Sequence, residues 1–352
     1  MRALAIEAMG AVTAVGDNLP LSVASIYTNA RHFRTLPAVG PDGRPIIGGP
    51  AAIGDDVRGI DRLRVLALMA LQECLADRFS QPPLPAVICA PSLEPFGRDG
   101  RWLLQRLLDD ADLAIDPDGS QVFTTGRGAL PDALALVEQR LASGEWPACF
   151  LVGVDSLVAP SRLAREVAAG RVAGPGNAAG FIPGEAGAAL VLSLRADAGS
   201  AAIIAGVGRC DGGVAFNTAA AVLAAAAEQA LARAGVAASS LSAICHDGAG
   251  DWRQLEEMSV ADARPPLSDA PQAQRLIPSI SLGDVGAAAG VLSLAIAGLL
   301  LAKGVVQWPV LTMFSTDGAS RAAAVLEPPA PPAPDPPRND RLNDAQSGPD
   351  VD

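Results

Sequence analysis

The chain of 352 residues has one lysine, Lys303, two histidines, His32 and His246, and one tyrosine. So small a stock of amines and imidazoles restricts the acid–base machinery the chain can assemble. Positive charge is otherwise arginine, no Lys/Arg run forms a phosphate-tracking stripe, and the formal net charge is −12. That balance excludes nucleic acid and an anionic membrane surface as partners, and mainly implies solubility. The five cysteines, Cys74, Cys89, Cys149, Cys210 and Cys245, are widely spaced and set in apolar runs such as "AVICAP" and "PACFLVG". They read as buried reduced thiols of a cytoplasmic protein, not as disulfides or metal ligands. There is no "GxGxxG" between strand and helix, no "GxxxxGK", no "HExxH" and no paired "CxxC", so no cofactor and no metal is expected. The opening "MRALAIEAMGAVTAVG" lacks the apolar core and cleavage site of a secretory leader.

What the chain does have is apolar residues, half of its total, enough for one large core or two fused smaller ones. Strand-like runs ("ALAIEAMGAV", "PAVICAP", "ACFLVGVDS", "AGAALVLSL", "AAIIAGVG", "LSAICHDG", "AAAVLEP") alternate with helical ones, the pattern of α/β architecture. In the helical stretch "NTAAAVLAAAAEQALARAG", Asn217 or Thr218 is the expected N-cap and Gly235 the stop. Val285 to Ala302 is an uncharged run of membrane-spanning length, but it is rich in Ala and Gly, lacks an aromatic belt and runs into a strand-like "VVQWPVLTM". A fully buried helix is expected there, with no membrane span.

An internal repeat organises these elements. "GALPDALALVEQRLASGEWP" resembles "AAGVLSLAIAGLLLAKGVVQWP": each is a small-residue turn, a helix, a glycine stop at Gly144 or Gly304, and a Trp-Pro lead into a strand. Two related halves are expected, residues 1–197 and 198–327, joined at the polar "RADAGSAA". Packing them together places the two helices at the centre. Residues 328–352, "PPAPPAPDPPRNDRLNDAQSGPDVD", read as a disordered Pro-rich tail.

Several motifs make the chain resemble the thiolase-fold β-ketoacyl synthases from about Met1 to Glu327. "GFIPGEAGAALVLSL" is similar to that family's "GFVxGEGAAxLVLE", and "MGAVTAVGDNLP", "LASGEWPACFLVGVDS" and "GDVGAAAG" match further segments. The resemblance implies an α/β thiolase-like fold, two duplicated halves in a five-layer αβαβα sandwich. Such enzymes need a cysteine at a helix start to take the acyl chain, and two basic side chains, commonly histidines, to assist decarboxylation and stabilise the enolate. A lysine completes the usual set.

Placed on those motifs, the reactive groups are missing. The nucleophile turn "TACSSSL" aligns with "TTGRGAL", putting Gly126 where the thiol belongs. Neighbouring Thr125 reads as a helix cap, or as a substitute nucleophile. Arg127 either fills the pocket or is a solvated helix start, and the "GRG" is a steric turn or an anion-binding helix start. The first histidine motif, "HGTGT", is echoed by "HDGAGDWRQLEE", so that His246 survives, with Asp251 and Glu256 as solvated or helix-start charges. In "SISLGDVGAAAG" against "KSxxGHxxGAAG", Asp284 replaces the second histidine and Ser279 the lysine. An ionised carboxylate repels the negative charge that builds up on an enolate, so Asp284 opposes the reaction and reads instead as a cap of the buried helix. The C-terminal signature is eroded to "FSTDGASRAAAVLE", interrupted by Asp317 and Arg321.

The expected site is therefore vestigial, at Gly126, His246, Ser279 and Asp284, with no catalytic residue assigned. The expected function is binding or assembly by a catalytically inactive thiolase-fold protein, as a homodimer or heterodimer, in the manner of ketosynthase-like adaptors for type VI secretion effectors. The alternatives are a β-ketoacyl-carrier-protein synthase or other acyltransferase, and the non-catalytic subunit of a ketosynthase heterodimer. The protein partners are accordingly a secretion effector or adaptor, or a ketosynthase or acyl carrier protein.

Overall fold

Runs of apolar residues with no polar alternation demand cover on both faces, and the central strands receive it. The computed structural model describes residues 3–76, 82–94, 100–110, 113–194, 200–212, 215–316 and 318–329. In the first half, β1 (Leu4–Thr13), β4 (Leu84–Cys89), β5 (Ile115–Phe123), β6 (Ala148–Ser156) and β7 (Glu185–Ser193) are accompanied by helices α1 (Leu19–Tyr27), α2 (Gly59–Leu75), α3 (Gly100–Leu108), α4 (Ala129–Ala142) and α5 (Pro160–Ala168), and by a small hairpin of β2 (Arg34–Val39) and β3 (Pro45–Gly48). The second half holds β8 (Ala202–Asp211), β9 (Ala243–His246), β10 (Gln274–Leu276), β11 (Val310–Phe314) and β12 (Ser320–Glu327), with α6 (Phe216–Ala234), α7 (Trp252–Asp262), the short α8 (Ser279–Leu282) and α9 (Ala289–Ala302). Every residue of β4 and β7 is buried, as is every residue of β6 after Ala148.

The strand order displays the duplication. From the centre outward the first half runs β1-β7-β6-β4-β5, and the second β8-β12-β11-β9-β10. Orientations match as well: β4 is parallel to β5 and β6 while β7 is antiparallel to β6 and β1, and β9 is parallel to β10 and β11 while β12 is antiparallel to β11 and β8. A short pairing of β1 with β8, Leu4 to Ile6 against Ile204 to Ala202, joins the two into one ten-stranded ladder.

Side-chain clusters give the layers. One core lies between α2, α3 and the outer face of the first half, through Leu63, Leu66, Leu103 and Phe150. A second, through Leu223, Leu241, Leu311 and Val325, lies under α6 of the other half. The largest joins the inner faces of both halves around α4 and α9, through Leu134, Leu151, Leu292 and Phe314. This is the αβαβα order of a thiolase-like fold. Helix α9 is buried around almost its whole circumference, which accounts for its lack of charged residues. Among the described residues no helix is long and apolar enough to cross a membrane.

The glycine stops behave as expected, with Gly144, Gly235 and Gly304 all at positive φ. The capping expectation for α6 needs correction: Ala215 is the N-cap and supplies no side-chain bond, and the helix begins a residue before Asn217. Helices α1, α3 and α8 and strands β2, β3 and β10 were not anticipated, and of α7 only a helix-start charge was, all being short or broken by polar residues. The join at residue 197 and all but the start of the 328–352 tail lie outside the described residues.

Because Leu292, in the first turn of α9, is 1% exposed, Leu292→Ala should lose about 2–5 kcal/mol in chemical denaturation. Leu21→Ala, at a 54% exposed position, should stay within about 0.5 kcal/mol of the parent.

Candidate functional site

Two tight turns, one from each half, meet in the middle of the molecule. After β5 the turn Gly126–Gly128 feeds α4, and before α9 the turn Gly286–Ala288 does the same. Gly126 and Gly286 both have positive φ, at 62° and 53°, where an L side chain is strained by roughly 1–2 kcal/mol. Their surroundings differ. A Cβ on Gly286 would sit 2.0 Å from Oδ2 of Asp155, whereas one on Gly126 would meet nothing within 4 Å. The space in front of Gly126 belongs to a cavity of about 300 Å³, lined by charged and hydroxyl side chains from Ser92 through Asp284.

Arg127 lies under this cavity and is 7% exposed. Its Nη1 donates to the carbonyl of Asp247 at 2.5 Å and lies 3.7 Å from Asp247 Oδ2. Its Nη2 donates to Oδ1 of Asp284. Asp284 Oδ1 also accepts the Gly286 N–H at 2.8 Å, so it caps the turn before α9 while pairing with Arg127. Asp247 Oδ1 accepts the Ser315 N–H at 2.8 Å. Burial pushes the Asp247 carboxyl up to about 6, with Glu257 adding to the effect, against the pull of Arg127 and Ser315. Beside them Asp155, at the end of β6, accepts the Ser156 and Ala287 N–H groups at 2.8 and 3.0 Å and faces Arg162 Nη2 at 3.4 Å. Burial raises its carboxyl above the ordinary range, with Asp284 adding to the rise. The site is a lattice of arginines and carboxylates.

Of the positions expected here, Gly126 and Asp284 are brought together through Arg127. His246 is not. On β9, Ala243 and Cys245 face the central core and Ile244 faces the outer one, so alternation turns His246 outward. Its Nε2 is 3.5 Å from Asp262 Oδ1 on α7. Asp262 is held at 3.1 Å by Arg275; burial raises its carboxyl but His246 and Arg275 together bring it below the ordinary range. The inward position belongs to Asp247. Aligning "DGAG" with "HGTG", on the glycine spacing instead of on the histidine letter, identifies it from sequence.

Ser279 stands behind Gly250, whose added Cβ would be 3.3 Å from the Ser279 Oγ, and it does not line the cavity. Thr125 takes the N-cap position of its turn but makes no side-chain capping bond. Arg127 is the buried pocket-filling residue of the two readings given for it. Asp251 is the N-cap of α7, accepting the Gln254 N–H, and Glu256 is exposed. Arg321 is buried in an ion pair with Glu257, and Asp317 falls outside the described residues. No cysteine reaches the cavity. Burial pushes the Cys149 and Cys245 thiols up to about 12 and Cys89 higher still, while His32 and Lys303 are exposed elsewhere.

No protein-family profile matches the chain, and no curated protein matches its sequence. Solved structures match its fold. The ishigamide ketosynthase/chain length factor superposes with a TM-score of 0.73 at 19% identity, over 92% of this chain and 99% of the other. The ketosynthase from module 6 of the bacillaene synthase of Bacillus subtilis gives 0.73 at 18%, over 94% and 72%. A β-ketoacyl synthase from Burkholderia phymatum gives 0.71 at 15%, over 93% and 100%. The chain therefore has the thiolase-like fold of the β-ketoacyl synthases. At these identities the likeness defines the fold alone.

The raised Asp247 pKa has a sign that can be checked. The folded chain holds this proton more tightly than the unfolded one, so stability falls as pH climbs from about 4 to about 6 and the penalty persists above that. Asp247→Asn removes the charge and keeps an acceptor for Ser315. The variant should lack the fall in stability that the parent shows between about pH 4 and about 6, in denaturation curves taken across that range.

Proposed function

We propose that this chain is a non-catalytic thiolase-fold subunit that acts by binding another protein, as the partner subunit of a ketosynthase. The observation that carries the reading is the Arg127 clamp: a buried guanidinium joins Asp284 and Asp247 beside a glycine. Condensation needs a thiol to hold the acyl group and hydrogen-bond donors to steady the enolate. Here there is no side chain at Gly126, and the carboxylate of Asp284 lines the cavity beside it. Arg127, the donor next to Gly126, is already committed to Asp284 and Asp247.

The choice of partner is supported by the fold match to a protein described as a ketosynthase/chain length factor, and a related match is an acyl-carrier protein in complex with its ketosynthase. We also propose that residues 1–197 and 198–327 are the duplicated halves, in keeping with their matching strand orders, and that the protein works in the cytoplasm, in keeping with its free thiols. The secretion-adaptor reading shares the inert scaffold and differs only in partner.

Capture of the tagged chain from its native cells, with mass spectrometry of partners and of the intact bait, tests the proposal. The expected result is a cysteine-bearing ketosynthase with the bait unmodified. A type VI effector in its place would reassign the partner, and an acylated bait would restore the enzyme reading. Gly126→Cys adds a second check. Its thiol should enter the cavity and take one more alkyl group from iodoacetamide than the native parent does, yet the variant should form no carbon–carbon bond with malonyl and acyl donors.

A further inference from the structure

The carboxylates that line the cavity are each occupied. Asp284 belongs to Arg127, Asp155 to Arg162, Glu166 to Arg171, and Asp251 caps α7. The arginines are not used up in the same way. Arg162 has a side chain only 12% exposed, and its buried Nε has no hydrogen-bond partner among the described residues. Arg165 lines the same cavity and is exposed. Three residues apart on α5, the two are neighbours on one helix face. The hydroxyl residues Ser92, Thr124 and Thr125 line the cavity too, and the missing side chain at Gly126 leaves the space before them open. Two guanidiniums on one face of α5 at a hydroxyl-lined cavity stand out in a chain of net charge −12.

We infer that this cavity binds a small oxyanion group, a carboxylate or a phosphate, between Arg162 and Arg165. Guanidinium forks match both groups geometrically and give charge-assisted bonds of roughly twice the ordinary strength. Arg162 lines the cavity and keeps Asp155 on its Nη2, so it contributes its positive charge, while Arg165 supplies the donor set from the rim. Asp155, whose carboxyl burial drives toward the neutral form, opposes an incoming anion less than an ordinary carboxylate would. The inference rests on the non-catalytic reading, since it treats the cavity as a binding site for a ligand that is not turned over.

The test is calorimetric titration of the full-length chain with sodium acetate and, separately, with inorganic phosphate, at ionic strength held constant with chloride. One saturable site is expected for at least one of them. Arg165→Ala, at an exposed position, should weaken it by about tenfold or more, with partial recovery in Arg165→Lys. Binding of acetate alone identifies a carboxylate ligand, binding of phosphate alone a phosphate ligand, and binding of both the shared chemistry. No saturable binding of either anion, or binding unchanged in Arg165→Ala, overturns the proposal. Those negative results would leave the non-catalytic reading standing. Turnover of an acyl donor by a chain that still binds the anion would remove that reading and not the site.

Discussion

A buried arginine constrains everything around it. Withdrawing a guanidinium from water costs several kcal/mol unless carboxylates and carbonyls replace the lost hydration, and Arg127 obtains both from Asp284 and Asp247. Those two residues come from separate segments of the second half, after β9 and before α9, while Arg127 comes from the first. One side chain thus ties the halves together at their centre. The same ties explain why the surroundings are polar in so apolar a protein. Each carboxylate takes backbone N–H groups as well, from Ser315 and Gly286, so the turns are fixed by the charges they carry.

The duplication explains the location. In two halves with the same strand order, the turn after the last strand of each parallel set points inward, and the two turns face each other. Gly126 and Gly286 keep the same backbone shape, yet Asp155 fills the space by one and a cavity opens by the other. The fold has preserved the geometry that presents a residue at a helix start. The residue presented has no reactive atom. Before it lies a hollow lined by arginines, carboxylates and hydroxyls.

Much of this was legible in the sequence. Buried strands announced themselves as unbroken apolar runs, α9 as an apolar stretch too short of aromatics for a membrane, and the halves through their Gly and Trp-Pro punctuation. Gly126 could be placed by the strand, turn and helix pattern around it, and Asp284 by the glycines and alanines that follow it. His246 misled because a matching letter is a weaker guide than strand parity, which turns it toward Asp262 and leaves Asp247 facing Arg127. The ion lattice itself was beyond reach: Arg127, Asp155, Asp247 and Asp284 lie far apart in the chain, and only folding makes them neighbours. The missed helices α1 and α3 are nine residues each, too short for periodicity to rise above their polar residues.

A double-mutant cycle on Arg127 and Asp284, by chemical denaturation of Arg127→Ala, Asp284→Ala and the pair together, tests the central claim most directly. If the buried clamp organises the site, each single change should cost about 3–5 kcal/mol by stranding its partner's charge. The double variant should then recover on the order of 2 kcal/mol relative to the sum of the singles. Costs that add to within about 0.5 kcal/mol would mean that the two side chains do not interact in the folded protein, and the account of a locked, non-catalytic site would fail with them.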